Sequence, residues 1–261
     1  MAMRAVVPWT LLGATPLQLN ASSSAIRCDA QENPRAATVI SRRKSVALVG
    51  FTLAMGLAVN QTSALAREVE VGAYLPPVES LPGFVQFKAS GRDTPALRAG
   101  NVQPYEFILP STWKQQRIAN ILSGNYCQPK CAEPWVEVKF EDDKEGSLQV
   151  VAAPMVRLTN KPNARIDEIG SPEKLIAALG PFVTGNSYDP DEVIETSVKD
   201  RDGEKFYCYT LETPYAKTGA HNLAAATSKG NVVLLFVVSA SESQWSKSES
   251  VLRTILDSFK A

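Results

Sequence analysis

The sequence predicts a layered α+β domain, and three features indicate it. Residues 232–238 form the longest uninterrupted apolar run outside the leader, too short for an ordinary helix and rich in valine, which favours a strand buried on both faces. Residues 221–227 alternate before it, and Ser228-Lys229-Gly230-Asn231 supplies turn chemistry, so residues 221–240 are predicted to form a hairpin. Two other segments each carry one apolar helical stripe that can cover this sheet.

The first quarter of the chain has a different composition from the rest. Of the 27 basic and 27 acidic residues, six basic and only two acidic ones lie in residues 1–66, among many serines and alanines. This is the composition of an organelle transit peptide, so we expect residues 1–66 to lie outside the fold. The remainder then has a net charge of about −4, which argues against nucleic acid as a partner.

A second targeting signal follows inside this leader. Ser41-Arg42-Arg43-Lys44 precedes the apolar run Val46 to Val59 and the small-residue cleavage pattern Ala64-Leu65-Ala66. The alternative is a membrane anchor, but the run falls short of the about 20 residues that cross a bilayer. The arrangement resembles the bipartite presequence, with a twin-arginine signal, of plant thylakoid-lumen proteins, so we predict removal near Arg67 and a location in the chloroplast thylakoid lumen.

Residues 67–102 are predicted to form an extended N-terminal arm or loop. They hold several prolines, including Pro76-Pro77, and show no lasting period of 2 or 3.6. Their apolar side chains are too numerous for a solvated tail. Two alternatives remain open: the arm lies along its own domain, or it docks on a partner.

The globular part, residues 103–261, opens with a predicted strand at Tyr105–Leu109, and Trp113 is expected in the core. Residues 135–140 and 148–152 are predicted to form an antiparallel pair, and residues 193–198 and 205–211 a second hairpin. On that hairpin Phe206 and Cys208 fall on one face, and Tyr207, Tyr209 and Leu211 on the other.

Two helices complete the predicted domain. The first begins at Ser171-Pro172-Glu173, since serine caps free N–H groups and proline fits the first turn, and Gly180-Pro181 is expected to stop it. The second covers residues 242–259 and has apolar residues at helical spacing, which indicates core packing.

In this order, the motifs resemble the PsbP family over about residues 100 to 261. They are Pro110-Ser111-Thr112-Trp113, Gly170-Ser171-Pro172-Glu173, Phe206-Tyr207-Cys208-Tyr209, His221 with Ala224-Ala225-Ala226-Thr227, Trp245 and Ser258-Phe259. The resemblance implies an α-β-α sandwich around a central antiparallel sheet.

The resemblance also implies a role. The founding member is an extrinsic subunit of photosystem II that helps retain calcium and chloride at the oxygen-evolving manganese cluster. Residues 67–102 do not match its N-terminal segment, and the chain looks more like the PsbP-domain proteins with accessory or assembly roles. The expected partner is a thylakoid photosynthetic complex, photosystem II foremost, bound peripherally and without a membrane span.

Signs of catalysis are scarce in the sequence. It has one histidine and none of the G-x-S-x-G, P-loop, G-x-G-x-x-G or H-E-x-x-H patterns, so we expect no enzyme. An uncharacterised lumenal enzyme remains the least favoured alternative.

A weak cation site is implied by the resemblance, since family members have metals near the histidine that His221 matches and near an acid at the position of Glu242. Such a pair suits Mn²⁺ or Zn²⁺, with waters completing the shell. Ca²⁺ prefers more oxygen ligands than this pair offers. The alternative is a histidine that is simply hydrogen-bonded, and we expect no obligatory cofactor.

Cys127 and Cys131 are predicted to form a disulfide. With Pro129 between them, they can turn back to the roughly 4.4–6.8 Å that Cα atoms of a bridge require. A loop this small stabilises a fold by only about 2 kcal/mol. Two roles therefore stay open: a bridge that pins a loop, or a switch opened by a thioredoxin-like reductase. Cys208, on a strand among aromatics, is expected to be a buried free thiol.

Overall fold

A computed structural model describes residues 69–118 and 132–261. Nine strands lie in this part of the chain: β1 (Phe84–Lys88), β2 (Glu106–Pro110), β3 (Lys114–Gln115), β4 (Trp135–Asp142), β5 (Gly146–Pro154), β6 (Val193–Arg201), β7 (Glu204–Glu212), β8 (His221–Lys229) and β9 (Val232–Ala240). Strands β3 to β9 form an antiparallel sheet in the order β3-β4-β5-β9-β8-β7-β6, and β1 and β2 form a separate pair.

Four α-helices accompany the strands: α1 (Pro95–Arg98), α2 (Ile166–Ile169), α3 (Pro172–Thr184) and α4 (Glu242–Asp257). Short 3₁₀ helices cover Val71–Ala73, Met155–Arg157 and Pro190–Glu192. In the described part of the chain, no helix combines the length and apolar character needed to cross a membrane.

The predicted central hairpin is confirmed. Strands β8 and β9 pair from His221 opposite Ala240 to Lys229 opposite Val232, and every residue of β9 is buried. Strand β9 also pairs with β5, from Val232 opposite Pro154 to Ser239 opposite Ser147, which places it in the middle of the sheet. A valine-rich strand with neighbours on both edges and helices on both faces has no exposed surface, which explains its unbroken apolar run.

The two faces of the sheet have different covers. On one face α4 and the β1–β2 pair bury an aromatic core that includes Phe87, Phe107 and Phe236. On the other, α2 and α3 cover aliphatic residues and two tyrosines. The faces of β7 are as predicted, with Phe206 and Cys208 in the aromatic core and Tyr207, Tyr209 and Leu211 under α3. The α+β fold with an α-β-α arrangement is therefore confirmed.

Helix α3 begins as predicted but continues beyond Pro181, where we expected it to stop. The Ser171 hydroxyl accepts from the Lys174 N–H, and the helix ends at Thr184, followed by the cap residue Gly185 with a φ of 71°. Proline removes one intrahelical hydrogen bond. The added turn buries Val183 and Thr184 completely, and the Thr184 hydroxyl donates to the Gly180 carbonyl. Burial of this last turn offsets the missing bond.

The N-terminal segment, residues 69–102, lies along its own domain, the first of the two alternatives, and is more regular than the predicted arm. Strand β1 pairs antiparallel with β2, and its side chains Val85 and Phe87 are buried in the aromatic core. This strand was not predicted, because it is only five residues long and prolines lie on both sides of it in the sequence. The boundaries at residues 66 and 102 stay predictions.

Candidate functional site

His221 and Glu242, the predicted cation pair, meet at one end of the sheet. His221 is the first residue of β8 and Glu242 the first residue of α4, directly after the helix cap Ser241. Their side chains are 2.8 Å apart, from His221 Nε2 to Glu242 Oε2. The family resemblance indicated that these two residues, 21 positions apart, would lie close together, and they do. The cation site itself stays a prediction.

Aromatic stacking holds the imidazole of this pair. The His221 and Trp245 rings stack with centroids 4.6 Å apart and an angle of 11° between their planes. The Arg253 guanidinium carbon lies 5.8 Å from the centroid of the same Trp245 ring. The histidine side chain is 15% exposed and the glutamate side chain 83%. The imidazole is therefore fixed, whereas the carboxylate is free to turn toward solvent.

A buried polar network around Asn222, the residue after His221, stabilises this end of the sheet. The Asn222 amide group donates to the Thr213 hydroxyl (2.7 Å) and the Gly219 carbonyl (2.9 Å), and its carbonyl oxygen accepts from Ser239 and Thr218. Every hydrogen-bonding position of the amide oxygen and nitrogen is used in this way. The loop between β7 and β8 is thereby tied to the strands beside His221.

A metal here would have few protein ligands. Within residues 69–118 and 132–261, no three His, Cys, Asp or Glu side chains are arranged to hold a metal ion. Glu212 lies opposite His221 in the β7–β8 register and is exposed. A cation bound by the pair would have to take the place of the hydrogen bond between His221 and Glu242.

The predicted disulfide residues Cys127 and Cys131 lie outside the described residues, so the bridge stays a prediction. Cys208 is a buried free thiol, as predicted. Burial raises the pKa of its thiol, with Arg201 and Lys199 opposing that effect only in part. A thiol held neutral in this way is a poor nucleophile.

Sequence reasoning missed a buried carboxyl group at Glu137. Its side chain is 5% exposed and accepts hydrogen bonds from the Thr94 hydroxyl and the Trp135 indole. Burial raises the pKa of the Glu137 carboxyl, and the two hydrogen bonds oppose that effect. A β-bulge between Val136 and Val138 turns this residue inward, and strict alternation along the strand gives no sign of a bulge.

Tyr105 adds a second buried polar group to this region. Its hydroxyl has no hydrogen-bond partner among the described residues. Burial raises its pKa well above the usual range, and the charges of Glu137 and Asp93 act in the same direction. Thr94 also caps α1. The hydrogen bond from Thr94 to Glu137 therefore joins the N-terminal segment to the main sheet.

These elements define a class of protein: an α+β domain with helices on both faces of an antiparallel sheet and a histidine–carboxylate pair at one end. The family model described as PsbP matches residues 100–261, and the chain belongs to the PsbP family. The predicted resemblance is confirmed at the level of the family.

Two similar proteins come from Arabidopsis thaliana. The chain is 67% identical over 195 residues to "PsbP domain-containing protein 6, chloroplastic", a match that covers 75% of this chain and 74% of the relative. It is 30% identical over 240 residues to "PsbP domain-containing protein 4, chloroplastic", covering 88% and 85%. Both relatives carry a chloroplast designation in their names.

One solved structure that aligns is the solution structure of cyanobacterial PsbP (CyanoP) from Synechocystis sp. PCC 6803. The sequence identity is 19% and the TM-score 0.42, and the alignment covers 67% of this chain and 92% of that structure.

Proposed function

We propose that this protein is a non-catalytic accessory or assembly factor of the thylakoid lumen that binds a photosynthetic membrane complex peripherally, photosystem II foremost. Membership of the PsbP family carries the proposal. Two relatives named as chloroplastic and the predicted bipartite presequence support the location.

The N-terminal segment offers a surface for such a partner beside β3. Val69 and Tyr74 are both half-exposed, and they flank a backbone bridge between Glu70 and Lys114. The Tyr74 hydroxyl donates to the Gln115 side chain at 3.3 Å, which holds the ring beside β3. Exposed aromatic and aliphatic side chains on an ordered segment are typical anchors of an interface.

Deleting residues 67–100 would be a poor test, because it removes β1 and the buried residues Val71, Val85 and Phe87. Point changes avoid this difficulty. We propose tagged full-length protein in plants, capture from thylakoids solubilised in mild detergent, and mass spectrometry of the captured complexes. The test variant is Val69→Asp/Tyr74→Asp, and the matched control is Val156→Asp/Tyr215→Asp on other exposed surface.

Photosystem II subunits are expected with wild type and control, and about tenfold less with the test variant, the loss that one anchoring side chain accounts for. Wild type that captures no photosynthetic complex would refute the proposed function. Equal capture by the test variant would refute only the surface.

A weakly bound divalent cation is a second proposal, supported by the 2.8 Å contact between His221 and Glu242. Titration calorimetry should give weak Mn²⁺ and Zn²⁺ binding to wild type, none to His221→Ala and little to Glu242→Gln. Ca²⁺ should bind less well, because the pair offers few oxygen ligands. Identical Mn²⁺ and Zn²⁺ binding in wild type and His221→Ala would dispose of the site.

Redox control is the alternative function, with a thioredoxin-like reductase opening a Cys127–Cys131 bridge. The spacing of the two cysteines supports it, as does the burial of the free thiol Cys208. In denatured processed protein, labelling should reach Cys208 alone before reduction and all three thiols afterwards. Labelling of all three before reduction would remove the bridge, and a bridge that thioredoxin leaves intact would remove the switch.

A further inference from the structure

Strand β6 is an open edge of the seven-stranded sheet. It is the last strand in the order, nine residues long, and no segment within residues 69–118 and 132–261 pairs with its outer side. Ile194 and Val198 on this strand are 59% and 57% exposed. A long edge with exposed apolar side chains is a template for pairing with another strand.

The hairpin geometry shows which backbone groups face outward. The β6–β7 loop is Asp202-Gly203, with φ of 54° and 82°, the positive values of a type I′ turn. Residues that flank such a two-residue loop form a hydrogen-bonded pair, and hydrogen-bonded and non-bonded pairs then alternate. Counting back from Arg201 opposite Glu204, Asp200, Val198 and Thr196 direct their N–H and C=O groups to the open edge.

The middle of β6 is complementary in charge to itself. Glu195, Ser197 and Lys199 lie on one face of β6. Their partners in β7 are every second residue of that strand: Thr210, Cys208 and Phe206. In an antiparallel pair of two β6 strands with a two-fold axis at Ser197, each Glu195 lies opposite Lys199 of the second copy. Two opposite-charge pairs result, and like charges never meet.

The same register satisfies the outward backbone groups of Thr196 and Val198. Thr196 of each copy lies opposite Val198 of the other, so the two residues exchange hydrogen bonds in both directions, and the half-exposed valine side chain is covered. The bulge between Val193 and Glu195 limits this regular pairing to residues 195–199.

The ion pairs already present around Lys199 allow this side chain to change its partner. Lys199 Nζ lies 3.1 Å from the Asp257 carboxylate, which also accepts from Arg201 at 2.8 Å. If Lys199 turns to Glu195 of a second copy, Asp257 keeps its arginine. No carboxylate is left without a positive partner.

We propose that this protein self-associates through β6, with two copies joined by antiparallel strand pairing about Ser197. A single strand pair buries less than the about 1,600 Å² of a standard interface, so the dimer is weak and depends on concentration. Self-complementarity of residues 195–199 favours a second copy over an unrelated peptide. The inference concerns the free edge alone and is independent of the partner proposed above.

Sedimentation velocity of the purified full-length protein over about 1–200 μM tests this proposal, since weak dimers dissociate within such a range. Wild type should shift from monomer to dimer. Glu195→Lys and Lys199→Glu each place like charges opposite one another twice and should weaken association about tenfold. An equimolar mixture of the two variants restores both opposite-charge pairs and should form a heterodimer. Glu79→Lys, a charge reversal on an exposed residue of the N-terminal segment, should associate like wild type.

Circular dichroism establishes that each variant is folded, and recovery in the mixture gives the same information independently. Wild type that stays monomeric throughout the range overturns the proposal and leaves the edge to an extended strand of another protein. Unchanged association of Glu195→Lys, or a mixture no more associated than its components, overturns it as well.

Discussion

The two edges of the central sheet are finished in opposite ways. At the β3 edge the strand is two residues long, and the N-terminal segment closes it: the Val71 N–H donates to the Trp113 carbonyl and the Gly72 N–H to the Ser111 carbonyl, both at 2.8 Å. At the β6 edge nine residues lie open. A chain that closes one edge with its own backbone has left the other available for pairing.

The difference is also one of burial. Trp113 and Val71 at the closed edge have no exposed surface, whereas β6 has no fully buried residue. Stability should therefore depend on the closed edge and association on the open one.

The largest effect is expected at Trp113. Its side chain is fully buried and its indole donates to Glu145 at 2.7 Å, so Trp113→Ala should lower the free energy of unfolding by about 3–5 kcal/mol. Tyr215→Ala, at a side chain 88% exposed, is the control and should change it by less than about 0.5 kcal/mol. Chemical denaturation measures both. A loss below about 1 kcal/mol for Trp113→Ala would mean that the closed edge is not well packed.

A single methyl group should disturb the contact of the N-terminal segment with Ser111. A Cβ at Gly72 would lie 2.8 Å from Ser111 Cβ and 2.9 Å from its carbonyl oxygen, too close for either atom. Gly72→Ala should therefore destabilise the protein by about 1–3 kcal/mol. Ser197→Ala on the open edge should leave the denaturation midpoint nearly unchanged, and equal midpoints for both variants would contradict the comparison.

Much of the fold could be predicted because its signals are local. The run at residues 232–238, the alternating faces of β7 and the cap at Ser171 each depend on neighbours in sequence. Strand β1 was not predicted, because it depends on pairing with β2, about 20 residues away. The continuation of helix α3 beyond Pro181 was not predicted either, because burial of the last helical turn outweighs the missing hydrogen bond.

The pH dependence of stability should change on substitution of Glu137, which lies between the closed edge and the sheet centre. Because its pKa is raised in the folded protein, the folded state holds this proton more tightly, and its contribution to stability falls as pH rises from about 4.5 through the raised folded pKa. Each unit of that shift corresponds to about 1.4 kcal/mol.

Glu137→Gln removes this titration. The difference in unfolding free energy, wild type minus variant, should therefore decrease with rising pH in denaturant titrations between about pH 4 and 8. Taking the difference cancels the contributions of Asp167, Glu168 and Glu173 to the pH dependence, which are the same in both proteins. The pKa values of these three residues are lowered in the fold. A difference that is flat or rises with pH would show that the Glu137 carboxyl is not titrating as buried.

The smallest effect is expected on the open strand, and the same substitution at the closed edge serves as its comparison. Val198→Thr, on the open strand, should change stability by less than about 0.5 kcal/mol. Val71→Thr places a hydroxyl in a fully buried position and should cost about 1–3 kcal/mol. Similar values for the two variants, measured side by side in urea, would remove the distinction between the edges.

The candidate site was only partly predictable. The meeting of His221 with Glu242 was expected from the family resemblance, and the stack on Trp245 completes it. Glu137 was not expected, because the bulge that turns it inward depends on β5, the strand beside it. The Asn222 network was likewise not predicted, since its four partners come from the loop between β7 and β8 and from strand β9.

Hydrogen–deuterium exchange of single amides tests the contrast between the edges most directly. In dilute protein, the amides of Val71 and Gly72 should exchange slowly, those of Thr196 and Val198 rapidly, and that of Ser197, bonded to β7, slowly again. At high concentration Thr196 and Val198 should slow as copies pair. Slow exchange of Thr196 and Val198 in the dilute monomer, or rapid exchange of Val71 and Gly72, would contradict the account.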